Sequence, residues 1–263
     1  MKLNPYATIA TSATRAKQGA LILGLTLLTM VAGAQTPDFP LLLKTIDQRS
    51  NFAGRDFSAK VRLVSDDPEK GNEVRAARTF RRDDDDTFLM FFLEPETQLG
   101  QGYLKVDDNL WFYDPESRKF THSSMKENIQ GTDAKNSDFG QSALATDYKV
   151  SAWTEGKLGA YEVWQLDLEA TNNEATYAFK KIAVSKRDGL LLKSEDYSLS
   201  KRLLRTSYYT SYVKTGNSFV ADKALFVDAL VKGKKTQITF TEISVAPLPD
   251  TVFTKAYVER VNR

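Results

Sequence analysis

Most of the chain after residue 55 alternates between apolar and polar positions, which is the pattern of half-buried β-strands. Phe57, Ala59 and Val61, for example, are apolar, and the residues between them are polar. This alternation predicts about ten or eleven strands joined by short turns. The predicted strands span residues 57–63, 74–82, 87–93, 103–106, 110–113, 164–169, 177–185, 190–197, 203–213, 224–231 and 236–245.

The order of these segments predicts an antiparallel meander with helices at its ends. Residues 87–93 (TFLMFFL) are apolar at every position but the first, which favours a central strand covered on both faces. Residues 186–189 end in Asp-Gly, a favoured hairpin turn. Residues 40–50 begin with a proline and have helical spacing, and residues 253–261 predict a closing helix. The fold class is therefore mainly β with short helices.

One long segment does not fit the meander. Residues 125–146 are rich in Asn, Asp, Ser and Gly, and they lack strand periodicity. A loop of this length in a compact domain is usually functional or mobile. Phe139 and Leu144 give it apolar anchors.

The first 34 residues have the pattern of a signal peptide. Lys2, Arg15 and Lys17 form a basic region, which precedes an apolar run at residues 20–32. An A-x-A site at residues 32–34 predicts cleavage after Ala34. The alternative is an uncleaved membrane anchor, but the run is shorter than the ~20 residues of a span. We therefore expect residues 35–263 to form a single domain that is exported to the periplasm, and Gln35 argues against lipidation.

Composition excludes several kinds of chemistry. The chain has no cysteine and one histidine, His122, so thiol nucleophiles, disulfides and multi-histidine metal sites are ruled out. The acidic run 83–86 lacks the spacing of an EF-hand. No Walker A, dinucleotide or G-x-S-x-G motif is present in the sequence. We expect a protein that is not an enzyme and that needs no cofactor or metal, with a hydrolase as the less favoured alternative.

Charge is distributed unevenly along the chain. Residues 35–170 carry 17 basic and 25 acidic side chains, whereas residues 171–263 carry 16 and 9. The basic half could face anionic headgroups or a partner. The favoured interpretation is that the two halves interleave in one sheet and neutralise each other. The sequence contains no basic-aromatic motif for nucleic acid, so we expect no such partner.

Large apolar side chains are plentiful on the predicted strands. They could form an ordinary core or line a concave apolar cleft, and composition does not separate these alternatives. The candidate cavity-lining residues are Phe88, Met90, Phe92, Leu104, Phe112, Trp164, Leu166, Leu168 and Phe179.

Three stretches carry a family resemblance. Residues 93–115 (LEPETQLGQGYLKVDDNLWFYDP) contain a proline, a glycine, a short strand, a turn and W-x-Y-x-P. Residues 131–139 (GTDAKNSDF) contain a G-T-D…D-F loop, and K-G-K-K-T at 232–236 precedes L-P-D-x-x-F-T-x-x-Y-V-E at 248–259. Together these stretches resemble the bacterial outer-membrane lipoprotein-sorting protein family, relatives of the carrier LolA.

The resemblance implies an incomplete antiparallel β-barrel whose concave face is capped by helices over an apolar cavity. It also implies a periplasmic protein that binds lipid or acylated lipoprotein and receives it from an inner-membrane transporter or exporter. The alternative on the same fold is a lipid- or peptide-sensing module that regulates a membrane partner. We expect a monomer.

Within this family picture, the long polar segment is expected to be a lid over the cavity mouth that is more mobile than the strands. The predicted lid residues are Gly131, Thr132, Asp133, Asp138 and Phe139. Phe92 and Trp164 are the predicted cargo contacts whose loss would weaken lipid binding more than stability.

Overall fold

The alternating segments become thirteen strands of one antiparallel sheet in the computed structural model, which describes residues 37–261 of the chain. Three α-helices accompany the strands: α1 (Phe39–Ser50), α2 (Leu144–Asp147) and α3 (Lys255–Val261). Short 3₁₀ turns lie at Glu96–Gln98, Asn136–Asp138 and Asp250–Phe253. The strands are β1 (Asp56–Asp67), β2 (Gly71–Arg82), β3 (Thr87–Glu94), β4 (Gly102–Val106), β5 (Asn109–Asp114), β6 (Lys119–Ser123), β7 (Tyr148–Leu158), β8 (Tyr161–Ala170), β9 (Phe179–Ser185), β10 (Leu191–Tyr197), β11 (Leu203–Thr215), β12 (Ser218–Asp228) and β13 (Lys235–Ser244).

The sheet is a meander folded back on itself. Its order is β6-β5-β4-β3-β2-β1-β13-β12-β11-β10-β9-β8-β7. All neighbouring strands are consecutive in the chain except β1 and β13, and the consecutive strands β6 and β7 lie at opposite edges. Asp66 lies opposite Lys235 in that pair, and Val61 lies opposite Phe240. In the described residues β6 and β7 are the two free edges, so the sheet does not close into a barrel. This confirms the predicted class, a curved and incomplete antiparallel barrel with short helices.

Strand β3 has apolar neighbours on both faces, as predicted. Phe88, Met90 and Phe92 are fully buried against one face, which we call the inner face. Leu89 and Phe91 alternate with them and pack on the opposite, outer face. Because side chains alternate along every strand, the register extends these two faces across the sheet.

Helix α1 packs on the inner face. Its first turn is capped by Asp38, whose carboxylate accepts a hydrogen bond from the Leu41 amide at 3.0 Å. Leu43 and Ile46 are buried and pack with Leu166 and other residues of β8 and β9. The helix therefore covers the β7–β9 end of the inner face.

The C-terminal helix lies on the other side of the sheet and is not part of the helical cover of the inner face. Val252, Phe253 and Val258 are buried with Leu89 and Leu104 on the outer face. The inner face is covered by α1 and α2 alone among the three α-helices of residues 37–261.

The strand count is higher than the predicted ten or eleven. Strands β6 and β7 are not among the predicted ranges. Both are edge strands, and their residues are exposed along most of their length, so neither has a strong apolar alternation. Strand β12 begins at Ser218 and ends at Asp228, not at 224 and 231. The Asp228 carboxylate accepts hydrogen bonds from the amides of Leu230 and Val231 at 2.6 and 2.9 Å, which turns the chain there.

The predicted signal peptide, residues 1–34, lies outside the described residues. Across residues 37–261 no helix combines the length and hydrophobicity that a membrane span requires.

Candidate functional site

One segment crosses the inner face from edge to edge. Residues 124–147, the crossing segment, connect β6 to β7, which are the opposite edges of the sheet. Ile129, Ala134 and Phe139 are buried in the same cluster as the inner-face residues of β3. The crossing segment is therefore packed into the sheet over its middle part.

Polar contacts hold the middle of the crossing segment to the sheet. The Asp133 amide donates to Thr236 Oγ1 at 3.0 Å, and that hydroxyl donates to the Asp133 carboxylate at 3.1 Å. Lys234 Nζ lies 3.4 Å from Asp133 Oδ1.

A local turn precedes this attachment, in which Thr132 Oγ1 donates to the Ile129 carbonyl at 2.8 Å. Gly131 has a φ of +69°, a left-handed conformation that favours glycine in this turn.

The start of α2 is held by helix α1. Asp47 accepts hydrogen bonds from Ser142 Oγ at 2.6 Å and from the amides of Leu144 and Ala145 at 2.9 and 2.8 Å. The Asn51 side chain exchanges two hydrogen bonds with the Ser142 backbone. The carboxylate of Asp47 in α1 and the carboxamide of Asn51, the residue after α1, thus take the place of an N-cap side chain for α2.

Arg81 of β2 connects the same two elements. Its guanidinium donates to the carbonyls of Gly140 and Ser50 at 2.7 and 3.0 Å and forms a 2.6 Å ion pair with Asp83. The Phe52 ring lies 4.9 Å from the guanidinium carbon. One buried cation therefore joins the sheet, the end of α1 and the crossing segment.

A cavity of about 280 Å³ lies between the second half of the crossing segment and the inner face of β9–β12. Its wall combines aromatic and aliphatic side chains with polar and charged ones. Aromatic residues of the wall are Phe52, Phe57, Phe139, Tyr148, Tyr177, Tyr209, Tyr212, Phe219, Phe226 and Phe240. A volume near 300 Å³ lies at the small end for ligand sites.

A buried ion network forms one wall of this cavity. Arg205 donates two hydrogen bonds to the Asp138 carboxylate, at 2.6 and 2.9 Å, and one to Asp196 at 3.0 Å. Lys180 Nζ and Ser194 Oγ donate to Asp196 Oδ1 at 2.6 and 2.8 Å. Two cations and two carboxylates are thus paired, and every charge has an opposite partner.

The electrostatics of the network follow from its burial. Desolvation raises the pKa of Asp196, but Lys180 and Arg205 outweigh it and hold the pKa below its ordinary value. For Asp133, burial prevails over Lys234 and raises the pKa. Burial also raises the pKa of Tyr177 and Tyr209, so both phenols stay neutral.

The predicted cavity residues lie elsewhere. Phe88, Met90 and Phe92 are fully buried in the inner-face core, with Phe112 packed against them. Trp164, Leu166 and Leu168 pack beneath α1. None of these seven lines the 280 Å³ cavity in the described part of the chain. Their role as cargo contacts stays a prediction.

Two further predicted cavity residues lie on the outer face. Leu104 packs with Leu89 and the C-terminal segment on the outer face. Phe179 pairs with Glu169 and Tyr197, which are outer-face residues, and Lys201 lies 5.3 Å from its ring. Bulges shift the register between adjacent strands by one residue, and such a shift moves each side chain to the opposite face from the one predicted.

The predicted lid residues all belong to the crossing segment. Asp138 and Phe139 line the 280 Å³ cavity, and Asp133 lines a second cavity of about 260 Å³. Thr132 and Asp133 are buried, and Gly131 sits in the turn beside Arg75. Tyr177 and Arg205 line both cavities and separate them.

Sequence reasoning missed the tyrosines and cations of the wall. Tyr177, Tyr209 and Arg205 line the cavity, but in a strand pattern a side chain with a polar atom predicts a solvent-facing position. The signal in the sequence was the two-residue spacing of Arg205, Ser207 and Tyr209 on β11, which places all three on one face.

Other chemistry finds little support. His122 is exposed on edge strand β6, its ring 3.7 Å from that of Trp111. Among residues 37–261 no group of three or more His, Asp or Glu side chains is placed to hold a metal ion.

Comparison with known proteins gives a family and a fold. A family described only as "Uncharacterized protein" matches residues 84–260, which is more than half of the chain. No protein with a curated description matches. A LolA superfamily protein from Nitrosomonas europaea is 21% identical with a TM-score of 0.72, over 82% of this chain and 97% of that one.

Two further solved structures share the fold. An outer membrane lipoprotein-sorting protein domain from Vibrio parahaemolyticus is 18% identical with a TM-score of 0.75, over 84% of this chain and 98% of that one. A DUF1329 family protein from Desulfovibrio piger is 18% identical with a TM-score of 0.74, over 83% and 97%. At these identities the likeness shows the fold.

Proposed function

Because the chain belongs to the family matched over residues 84–260 and has the LolA-like fold, we propose that it is a periplasmic carrier of an acylated lipid or lipoprotein. The observation that carries the proposal is the aromatic cavity between the crossing segment and β9–β12. Its inner wall is apolar enough to receive hydrocarbon, and its covering is a single segment of chain. The activity proposed is binding, not catalysis.

The energetics of such binding are favourable. Burial of an acyl chain yields ~0.8 kcal/mol per CH₂, so a chain of several carbons supplies affinity without a charged contact. A cavity of about 280 Å³ suits part of one chain. We therefore infer that a bulkier cargo displaces the crossing segment, which then exposes more of the inner face.

The contacts of the crossing segment support this opening. Its second half is held by hydrogen bonds to Asp47, Asn51 and Arg81, which can be exchanged for water. Its middle is held by Arg205 and by buried apolar residues. We expect residues 140–147 to move first and the part of the segment up to Phe139 to stay in place. An inner-membrane donor is the partner that this function requires.

The test is titration with a fluorescent fatty-acyl probe. Ala143, the residue before α2, lines the cavity. Ala145 lies within α2, is exposed and does not line the cavity. Ala143→Phe should fill the cavity and weaken probe binding by about tenfold or more, whereas Ala145→Phe adds the same bulk outside and should leave it unchanged. Near-ultraviolet circular dichroism would establish that both variants are folded.

Equal affinities in the two variants would contradict binding in this cavity. A displacement control with unlabelled fatty acid distinguishes specific binding from adsorption of the probe to the surface.

A further inference from the structure

Two neighbouring hairpin tips expose hydrophobic side chains at one end of the sheet. The β10–β11 tip, residues 198–202, carries Leu199, which is 83% exposed. The β12–β13 tip, residues 229–234, carries Leu230 and Val231, which are 46% and 36% exposed. These are three of the eight large hydrophobic residues exposed in residues 37–261. Because it is so exposed, the Leu199 side chain contributes little to the core of residues 37–261.

The two tips are side by side. Strands β11 and β12 are paired, with Arg205 opposite Asp228, and the Ala229 amide donates to the Leu204 carbonyl at 3.0 Å. The β10–β11 tip directly precedes β11, and the β12–β13 tip directly follows β12. With strands ~4.8 Å apart, the tips lie about 10 Å from each other. Leu199, Leu230 and Val231 therefore project from one edge of the molecule.

Both tips are basic. Their sequences, SLSKR and ALVKGK, contain no acidic residue. Lys201, Arg202 and Lys232 are exposed and form no salt bridge with any residue of the described range 37–261. By contrast, other cations of the basic half are paired with the acidic half, as in Lys235–Asp66 at 3.2 Å and Lys181–Asp167 at 3.6 Å. Cations of the basic half are thus paired across the sheet, whereas Lys201, Arg202 and Lys232 at the tips have no acidic partner within residues 37–261.

We propose that the two tips dock the protein on an anionic lipid membrane. Exposed leucine and valine side chains flanked by cations are the chemistry of interfacial binding, because the apolar groups enter the headgroup boundary while lysine and arginine remain with the phosphates. A membrane needs no shape complementarity. A protein partner generally needs about 800 Å² per side, which is more than two short tips offer.

The β12–β13 tip lies beside the second cavity. Leu230 also lines the second cavity, together with Asp133, Tyr177 and Arg205. Docking through Leu230 would place that cavity, and the Tyr177–Arg205 partition behind it, at the bilayer surface. The proposal does not depend on which cargo the protein carries.

The test is co-sedimentation of the protein with vesicles. Wild-type protein should bind vesicles of phosphatidylcholine mixed with phosphatidylglycerol, bind pure phosphatidylcholine vesicles weakly, and dissociate as salt is raised. Each of Lys201→Gln, Arg202→Gln and Lys232→Gln should lower the partition coefficient about fivefold. Leu199→Gln should lower it several-fold even at high salt.

Matched controls lie at the opposite end of the sheet. Tyr161 is a 47% exposed hydrophobic residue at the β7–β8 tip, and Lys157 is an exposed cation beside it. Tyr161→Gln and Lys157→Gln should leave vesicle binding unchanged. All six substituted positions of tips and control are exposed, so the variants should fold, and thermal melts would verify this.

Absence of vesicle binding by the wild type, or equal losses in tip and control variants, would overturn the proposal. Normal vesicle binding by the tip variants would overturn it as well and leave the tips to a protein partner. Acyl-probe binding in the same variants separates this proposal from the carrier function. Tip variants should retain the probe, and failure of the probe to bind any variant would count against the carrier alone.

Discussion

Arg205 and Asp196 show how single residues connect distant parts of this chain. Asp196 is fully buried on β10 and accepts hydrogen bonds from Lys180 of β9 and Arg205 of β11. Arg205 continues the network to Asp138 of the crossing segment. Removal of one partner from such a network leaves the others buried and unpaired. Stability and closure of the crossing segment are therefore coupled through these charges.

The pKa of Asp196 predicts a pH-dependent contribution to stability. Its folded-state pKa lies below its ordinary value, so the carboxylate stabilises the fold above about pH 4 and this stabilisation is lost as pH falls through the folded pKa. Asp196→Asn should cost roughly 3 kcal/mol at neutral pH, because Lys180 then lacks its partner. In urea denaturation the difference from wild type should shrink as the pH is lowered below about 4. A difference that is the same at neutral and acidic pH would contradict the pairing.

Asp133 provides the contrast for that measurement. Burial raises its folded-state pKa above the unfolded value, so its carboxylate form costs stability at pH values above the folded pKa. The cost is relieved as pH falls through that pKa. Asp133→Asn should therefore not show the loss that Asp196→Asn shows at neutral pH.

At the scale of elements, the crossing segment has two halves with different attachments. Residues 124–136 are held by buried apolar side chains and by bonds to β13, whereas α2 depends on three hydrogen bonds to Asp47. Any opening that admits cargo should therefore begin at α2.

Asp47→Ala should loosen α2 selectively. Loss of three hydrogen bonds to one carboxylate should cost about 1–3 kcal/mol and raise amide exchange in residues 141–147. Residues 129–136 and β3 should keep their protection. Lys44→Ala, at an exposed position of α1, is the control. Uniform faster exchange across the crossing segment would show that its halves do not move separately.

The sequence predicted that this segment exists but not how it is attached. Its polar composition and its anchors Phe139 and Leu144 were visible, and both anchors are buried. Its partners, such as Asp47 and Arg205, lie more than 60 residues away in the chain. No local pattern reports such pairs, because they are brought together only by the curvature of the sheet. The expectation that the segment is more mobile than β3 stays a prediction.

For the whole molecule, the fold class was predictable and the cavity was not. Alternation depends on neighbouring residues and predicted most strands, and β3 is covered on both faces as its composition indicated. The cavity depends on which face each strand presents. Bulges between β11 and β12, near Tyr209 and Val213, change that phase within a strand. This is why the strand pattern did not assign Tyr212 of β11 to the cavity.

The central claim, that the inner-face cavity holds an acyl chain, is tested most directly by native mass spectrometry of the purified protein. The account predicts an added mass that organic extraction removes and that analysis of the extract identifies as an acylated lipid. The Ala143→Phe variant should carry less of it, and Ala145→Phe should carry as much as wild type. An unmodified mass in the wild type, together with no uptake of added lipid, would contradict the claim.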